Sequence, residues 1–152
     1  MNTLRGAVSS ARATTSISGG GDNSPVQTTH ILLFKVDGRQ VKLSSASPAM
    51  ISDNDIVVLA GIEKDGAFVA LAYRNETTGV IGNAGKLGPA IGVLVGLVGA
   101  AFAFTLFGSS SFGVFPKLIG LVFLAVATFS AIRFLKIKSA ADLLAATRPA
   151  TG

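Results

Sequence analysis

The chain has 152 residues, with 13 Lys and Arg against 8 Asp and Glu, no cysteine, 49% hydrophobic residues and only 14% charged ones. A charged share well below the roughly 25% of a soluble domain, joined to so much hydrophobicity, excludes an intrinsically disordered chain, and the missing cysteine excludes a disulfide-stapled module. The net charge of +5 invites a nucleic-acid reading, but its distribution argues against one: up to Gly79 seven basic residues balance seven acidic ones, and the whole excess comes from six basic residues against Asp142 alone in the apolar remainder.

Residues 1–79 predict β-structure. Residues 3–17 are rich in Thr, Val, Ser and Ile and read as a first strand, followed by a loop through Gly19-Gly20-Gly21-Asp22 and Asn23-Ser24-Pro25. Residues 28–36 are β-branched and apolar, Asp37-Gly38 gives a hairpin turn, and Val41 and Leu43 alternate with Gln40 and Lys42. Ser47-Pro48-Ala49-Met50 is an irregular connection. Residues 56–62 form an apolar run, Lys64-Asp65-Gly66 gives a second hairpin signal, and residues 67–73 complete the set of five strands.

A long strand, a hairpin, a connection and a second hairpin resemble a small OB-like barrel over residues 3–75. The stretch Ile51-Ser52-Asp53-Asn54-Asp55-Ile56-Val57-Val58-Leu59-Ala60-Gly61 is similar to the polar turn and strand that follow the mid-chain connection in that fold, with Asp55 at the acidic position before the strand. Bacterial NfeD-like membrane proteins also join an OB-like barrel to membrane helices, with the barrel after the helices; here it comes first. OB barrels bind single strands or sugars through aromatic platforms and a basic groove. Only Phe34, Phe68 and Tyr73 are aromatic in this half, and the two phenylalanines read as core.

Arg74-Asn75-Glu76-Thr77-Thr78-Gly79 is the most polar cluster. It reads first as a strand end and turn, and in a functional reading Arg74, Asn75, Glu76 and Thr77 form a contact surface for the membrane or a partner. Asp53-Asn54-Asp55 starts like a calcium loop, but Val57 and Val58 replace the next ligand and the glycine. Gly82-Asn83-Ala84-Gly85-Lys86 resembles a phosphate loop but lacks its first Gly, at Val80, and its Ser or Thr, at Leu87. Residues 80–86 are therefore expected to be a flexible linker. His30 is the only histidine, so no Cys/His metal site is expected, and no catalytic constellation and no cofactor.

Residues 87–107 carry no charged side chain over 21 residues, enough at 1.5 Å per residue to cross about 30 Å of hydrocarbon. The second apolar run, residues 118–132, extends to about 114–135 if Lys117 snorkels. Gly108-Ser109-Ser110-Ser111 is a connection short enough to force an antiparallel hairpin. Gly88, Gly92, Gly96 and Ala100 recur every four residues and form a small-residue face. That face packs either on the second span, at Gly120, Ala127 and Ala131, or on a second copy or another membrane protein. Lys86, Arg133, Lys136 and Lys138 flank the spans, against Lys117 alone at the turn, so both termini are expected in the cytoplasm. Residues 1–16 hold no signal-peptide core. Phe134, Ile137, Ala141 and Leu144 give the chain after Ile132 an apolar helical face, and residues 136–152 are read as a cytoplasmic helical tail, an extension of the second span or an interfacial helix that ends by Pro149.

The expected fold is thus α+β: a five-stranded OB-like barrel followed by a transmembrane helical hairpin in the bacterial inner membrane. The expected role is a non-enzymatic scaffold or interaction module, with the lipid bilayer as its first partner. A ligand-binding or regulatory module, and a small pore-forming or immunity-type protein, are the alternatives.

Overall fold

The computed structural model describes residues 1–18, 27–106 and 114–147. The glycine-rich loop before the second strand, the Gly108–Ser111 turn and Pro149 lie outside the described residues. The chain divides into two units, Met1–Gly85 with Ile137–Gly152, and Lys86–Lys136.

The first unit contains β1 (Asn2–Ser18), β2 (Gln27–Val36), β3 (Arg39–Ser45), β4 (Ile56–Lys64) and β5 (Ala67–Asn75). Each joins its neighbour antiparallel in the order β3-β2-β1-β4-β5, and a parallel pairing of β3 with β5, Val41 opposite Phe68 and Leu43 opposite Ala70, closes the barrel. This is the five-stranded OB-like barrel that the strand order predicts. Both hairpins turn on two residues of positive φ, Asp37 and Gly38, then Asp65 and Gly66, the backbone of a type I′ turn that matches strand twist. Leu32, Phe34 and Val36, Val41 and Leu43, and Val57 and Leu59 point into one buried core with Val8, Phe68 and Tyr73.

Two irregularities set which side chains face out. The β1–β2 register shifts between Ser9 and Arg12, Ser10 takes φ +55°, and the Ala11 amide donates to Asp53 Oδ1 at 2.9 Å. The β4–β5 register shifts at Ala60–Gly61, leaving Leu71 as the extra residue on β5. A bulge reverses the inside–outside phase of its strand. Phe68 and Ala70 face the core before it, and Tyr73 faces the core after it, so Ala72 turns outward. Gly61 is required there because a Cβ would run into the Val69 carbonyl.

The run of residues 56–62 is apolar throughout because β4 is buried on both faces. Val57 and Leu59 enter the barrel core, while Val58 and Ala60 join Ala72, Ala140 and Leu144 in a second cluster on the outside. The linker expected at residues 80–86 is instead partly a sixth strand, β6 (Ile81–Asn83), paired antiparallel with Ala72–Arg74 of β5.

The helices are α1 (Leu87–Leu106) and α2 (Phe115–Ala146). At 1.5 Å per residue they extend about 30 and 48 Å, so α2 is longer than a bilayer core requires. The tail is the last part of α2 itself, not a separate interfacial helix, and its segment from Ile137 belongs to the barrel unit.

Candidate functional site: a small-residue helix seam and a capped helix end

Within the second unit, α1 and α2 meet along small residues. A Cβ placed on Gly92 would lie 3.0 Å from Ser130 Cβ, one on Gly96 2.7 Å from Ala127 Cβ and 2.8 Å from the Phe123 carbonyl, and one on Gly99 2.5 Å from the Phe123 ring. On α2, Gly120 faces the Phe104 ring. The α2 numbers fall as the α1 numbers rise, so the helices pack antiparallel. Ala100, Ala103 and Ala127 are buried in the same seam. Small residues here let backbones approach closely, the chief packing device where no hydrophobic effect separates helix from lipid. The predicted glycine face therefore packs on the second span of the same chain at Gly92 and Gly96. A Cβ on Gly88 would meet nothing within 4 Å, and Gly99 and Ala103, which the four-residue spacing passes over, take part.

The other faces of this pair are uncovered and apolar. Leu94, Val98, Leu121, Val122 and Phe129 are all more than half exposed. Only 17% and 11% of the most apolar windows of α1 and α2 are buried. In a soluble protein, helices of this composition would be core. Thr105 and Thr128 return their hydroxyls to the carbonyls of Ala101 and Leu124 at 2.7 and 2.9 Å, which satisfies them without water. Lys117, Arg133, Lys136 and Lys138 are exposed and Lys86 is half-buried just before α1.

In the barrel unit the end of α2 lies on the outer face of β4 and β5. Ile137, Ala140 and Leu144 are buried, one helical turn apart. Arg74, turned outward by the bulge at Leu71, donates from Nη1 to the Leu144 carbonyl at 3.0 Å, while Thr147 donates from N and Oγ1 to the Leu143 carbonyl at 3.1 and 2.8 Å. These donors satisfy carbonyls that a helix end leaves unpaired, and the guanidinium sits at the negative end of the helix dipole. Glu76 Oε2 accepts from Arg5 Nε at 2.9 Å, and its Oε1 lies 3.7 Å from Arg74 Nη2. Nε and Nη2 of Arg74 are buried without a hydrogen-bond acceptor, so Glu76 offsets part of the cost of burying that charge.

The polar cluster is the strand end and turn of its first reading, and its side chains bond within the barrel unit. Asn75 is fully buried. Its Nδ2 donates to Asp55 Oδ2 at 2.7 Å and to the Met50 carbonyl at 3.0 Å, and its Oδ1 accepts from the amides of Thr77 and Thr78 at 3.0 and 3.2 Å. That is every bond an amide side chain can make. Asp55 Oδ2 also accepts from the Ser52 amide at 2.8 Å, and Thr77 Oγ1 accepts from the Ile56 amide at 2.9 Å. Gly79 takes φ +75° to close the turn. Of the four residues named from the sequence, only Thr77 is exposed, and it holds β4 in place.

Phe123 and Ser130 enter the seam with no sequence pattern to mark them, and Asp53 holds the β1 bulge. The cover on β4 does have a signal: an unbroken apolar strand beside an antiparallel partner calls for a second buried face. Among the described residues no three His, Cys, Asp or Glu side chains gather as metal ligands. Comparisons of the chain with protein-family models, curated proteins and solved structures found no match, so the NfeD-like resemblance rests on strand pattern alone.

Proposed function

We propose that the chain is a non-enzymatic membrane-anchored interaction module, in which the α1–α2 hairpin lies in the bacterial inner membrane and holds the OB-like barrel on its cytoplasmic side. The observation that carries this reading is the pair of long helices packed through glycine and alanine yet apolar on their uncovered faces. Lipid is the environment that accepts such faces. The placement of Lys86, Arg133, Lys136 and Lys138 against the single Lys117 favours cytoplasmic termini.

Because Gly92 and Gly96 are taken up by α2, a partner helix or second copy would meet the outer apolar faces instead. The test is membrane extraction. The full chain, expressed in bacteria, should stay with the membrane pellet through alkaline carbonate and high salt and leave it only in detergent. Release by carbonate would overturn the anchor.

A further inference from the structure

The outer face of β1–β2–β3 carries a basic groove that the net charge of the barrel conceals. The groove is an open depression of about 380 Å³ whose lining includes Ser10, Arg12, Leu33, Lys35, Gln40 and Lys42. The registers explain the convergence. Arg12, Leu33 and Lys42 stand opposite one another across three strands, and Lys35 stands opposite Gln40 in the next row. Since Leu32, Phe34, Val41 and Leu43 face the core, Leu33, Lys35, Gln40 and Lys42 face out. The shift in β1 before Arg12, held by Asp53, puts that guanidinium in the same row. Neighbours on one sheet face lie about 5 Å apart directly and about 7–8 Å diagonally.

The barrel's other arginines are handled differently. Arg5 and Arg74 share Glu76, and Arg39 pairs with Glu63. Among the described residues, Arg12, Lys35 and Lys42 have no ion-pair partner, and no carboxylate lines the groove. Three like charges on one sheet face, with Lys35 about 7–8 Å diagonally from the positions of Arg12 and Lys42, raise the local potential for an anion. The volume falls within the range of small-molecule sites, and Leu33 supplies an exposed apolar floor between polar groups.

We propose that this groove binds a small soluble ligand bearing at least two phosphate charges, with Arg12 as the two-pronged donor, Lys35 and Lys42 as flanking cations, and Gln40 and Ser10 as neutral donors. The ligand's organic part rests on Leu33. The proposal stands apart from the membrane reading, since it uses only barrel residues.

The test is isothermal titration of inorganic pyrophosphate into the full chain held in phosphatidylcholine nanodiscs. Saturable binding that weakens with added salt is expected, and Lys35→Gln with Lys42→Gln should lower the affinity at least about tenfold, since each removes a charge-assisted contact. Lys64→Gln removes a cation opposite Ala67, beside the groove but outside the proposed contacts, and should lower the affinity far less than the double variant. Far-UV circular dichroism of the double variant should match the parent, so that loss of binding is not loss of fold. Absence of saturable binding would overturn the proposal. So would equal loss in the Lys64→Gln control, or association only with phosphatidylglycerol vesicles that pyrophosphate does not displace.

Discussion

Leucine at position 96 will drive α1 and α2 apart. The Cβ alone would fall 2.7 Å from Ala127 Cβ and 2.8 Å from the Phe123 carbonyl. The second of these is backbone, which cannot rotate away, so the helix axes must separate. Overpacking of this kind costs about 1–3 kcal/mol or more. Because the chain has no cysteine, Gly92→Cys with Ser130→Cys makes the only thiol pair; its Cβ separation of 3.0 Å needs to open by only about half an ångström to reach the disulfide range. In membranes this pair should oxidise to a crosslink, and adding Gly96→Leu should cut its yield several-fold. Gly88→Leu should not, because that position meets nothing within 4 Å. Equal yields in the Gly96→Leu and Gly88→Leu backgrounds would refute the seam.

The second large effect lies in the barrel. Asn75→Ala strips Asp55, the Met50 carbonyl and the amides of Thr77 and Thr78 of one partner each. A buried group left unsatisfied costs about 1–3 kcal/mol, and several together should remove about 3–5 kcal/mol of a domain stability of roughly 5–15 kcal/mol. The chain has one tyrosine and no tryptophan, and Tyr73 is in the barrel core. Its fluorescence during urea unfolding therefore reports on the barrel alone. The Asn75→Ala midpoint should drop sharply, whereas Thr77→Ser, which keeps the hydroxyl that accepts from Ile56, should stay near the parent. A midpoint for Asn75→Ala equal to the parent's would contradict the network.

What can be read from the sequence is local. Asp37-Gly38 and Asp65-Gly66 announce their turns because few other residues accept positive φ in succession. The two long apolar helices show in length and composition, and the first apolar run begins where α1 begins, at Leu87. What escapes is non-local. Closure of β3 on β5, the extra residue at Leu71 and the pairing of Ile81–Asn83 depend on contacts that no short window contains. The apolar face at Ile137 and Leu144 is visible, but a sheet covered by a helix and a helix lying on lipid make the same periodic pattern. The small-residue spacing fits either an internal seam or an external one equally well, and only the positions of Ser130, Ala127 and Phe123 decide between them.

Charge shows what a sum leaves out. A sum of zero over the first 79 residues argues against a nucleic-acid partner, yet a sum carries no geometry. Strand register gathers Arg12, Lys35 and Lys42 on one face, while Glu63 and Glu76 neutralise other arginines. The excess flanking the helices, by contrast, needs no geometry to be informative, because the positive-inside bias is itself a matter of position along the chain.

If the hairpin crosses the bilayer with the barrel on the cytoplasmic side, paired thiol labelling will show it most directly. Met50→Cys places a thiol on an exposed barrel position, 68% accessible, and Ser110→Cys places one in the segment joining the helices. With a membrane-impermeant maleimide on intact spheroplasts, the Ser110→Cys protein should label at once, and the Met50→Cys protein only after permeabilisation. Labelling of both from the same side, or of Met50→Cys alone in intact spheroplasts, would contradict that topology.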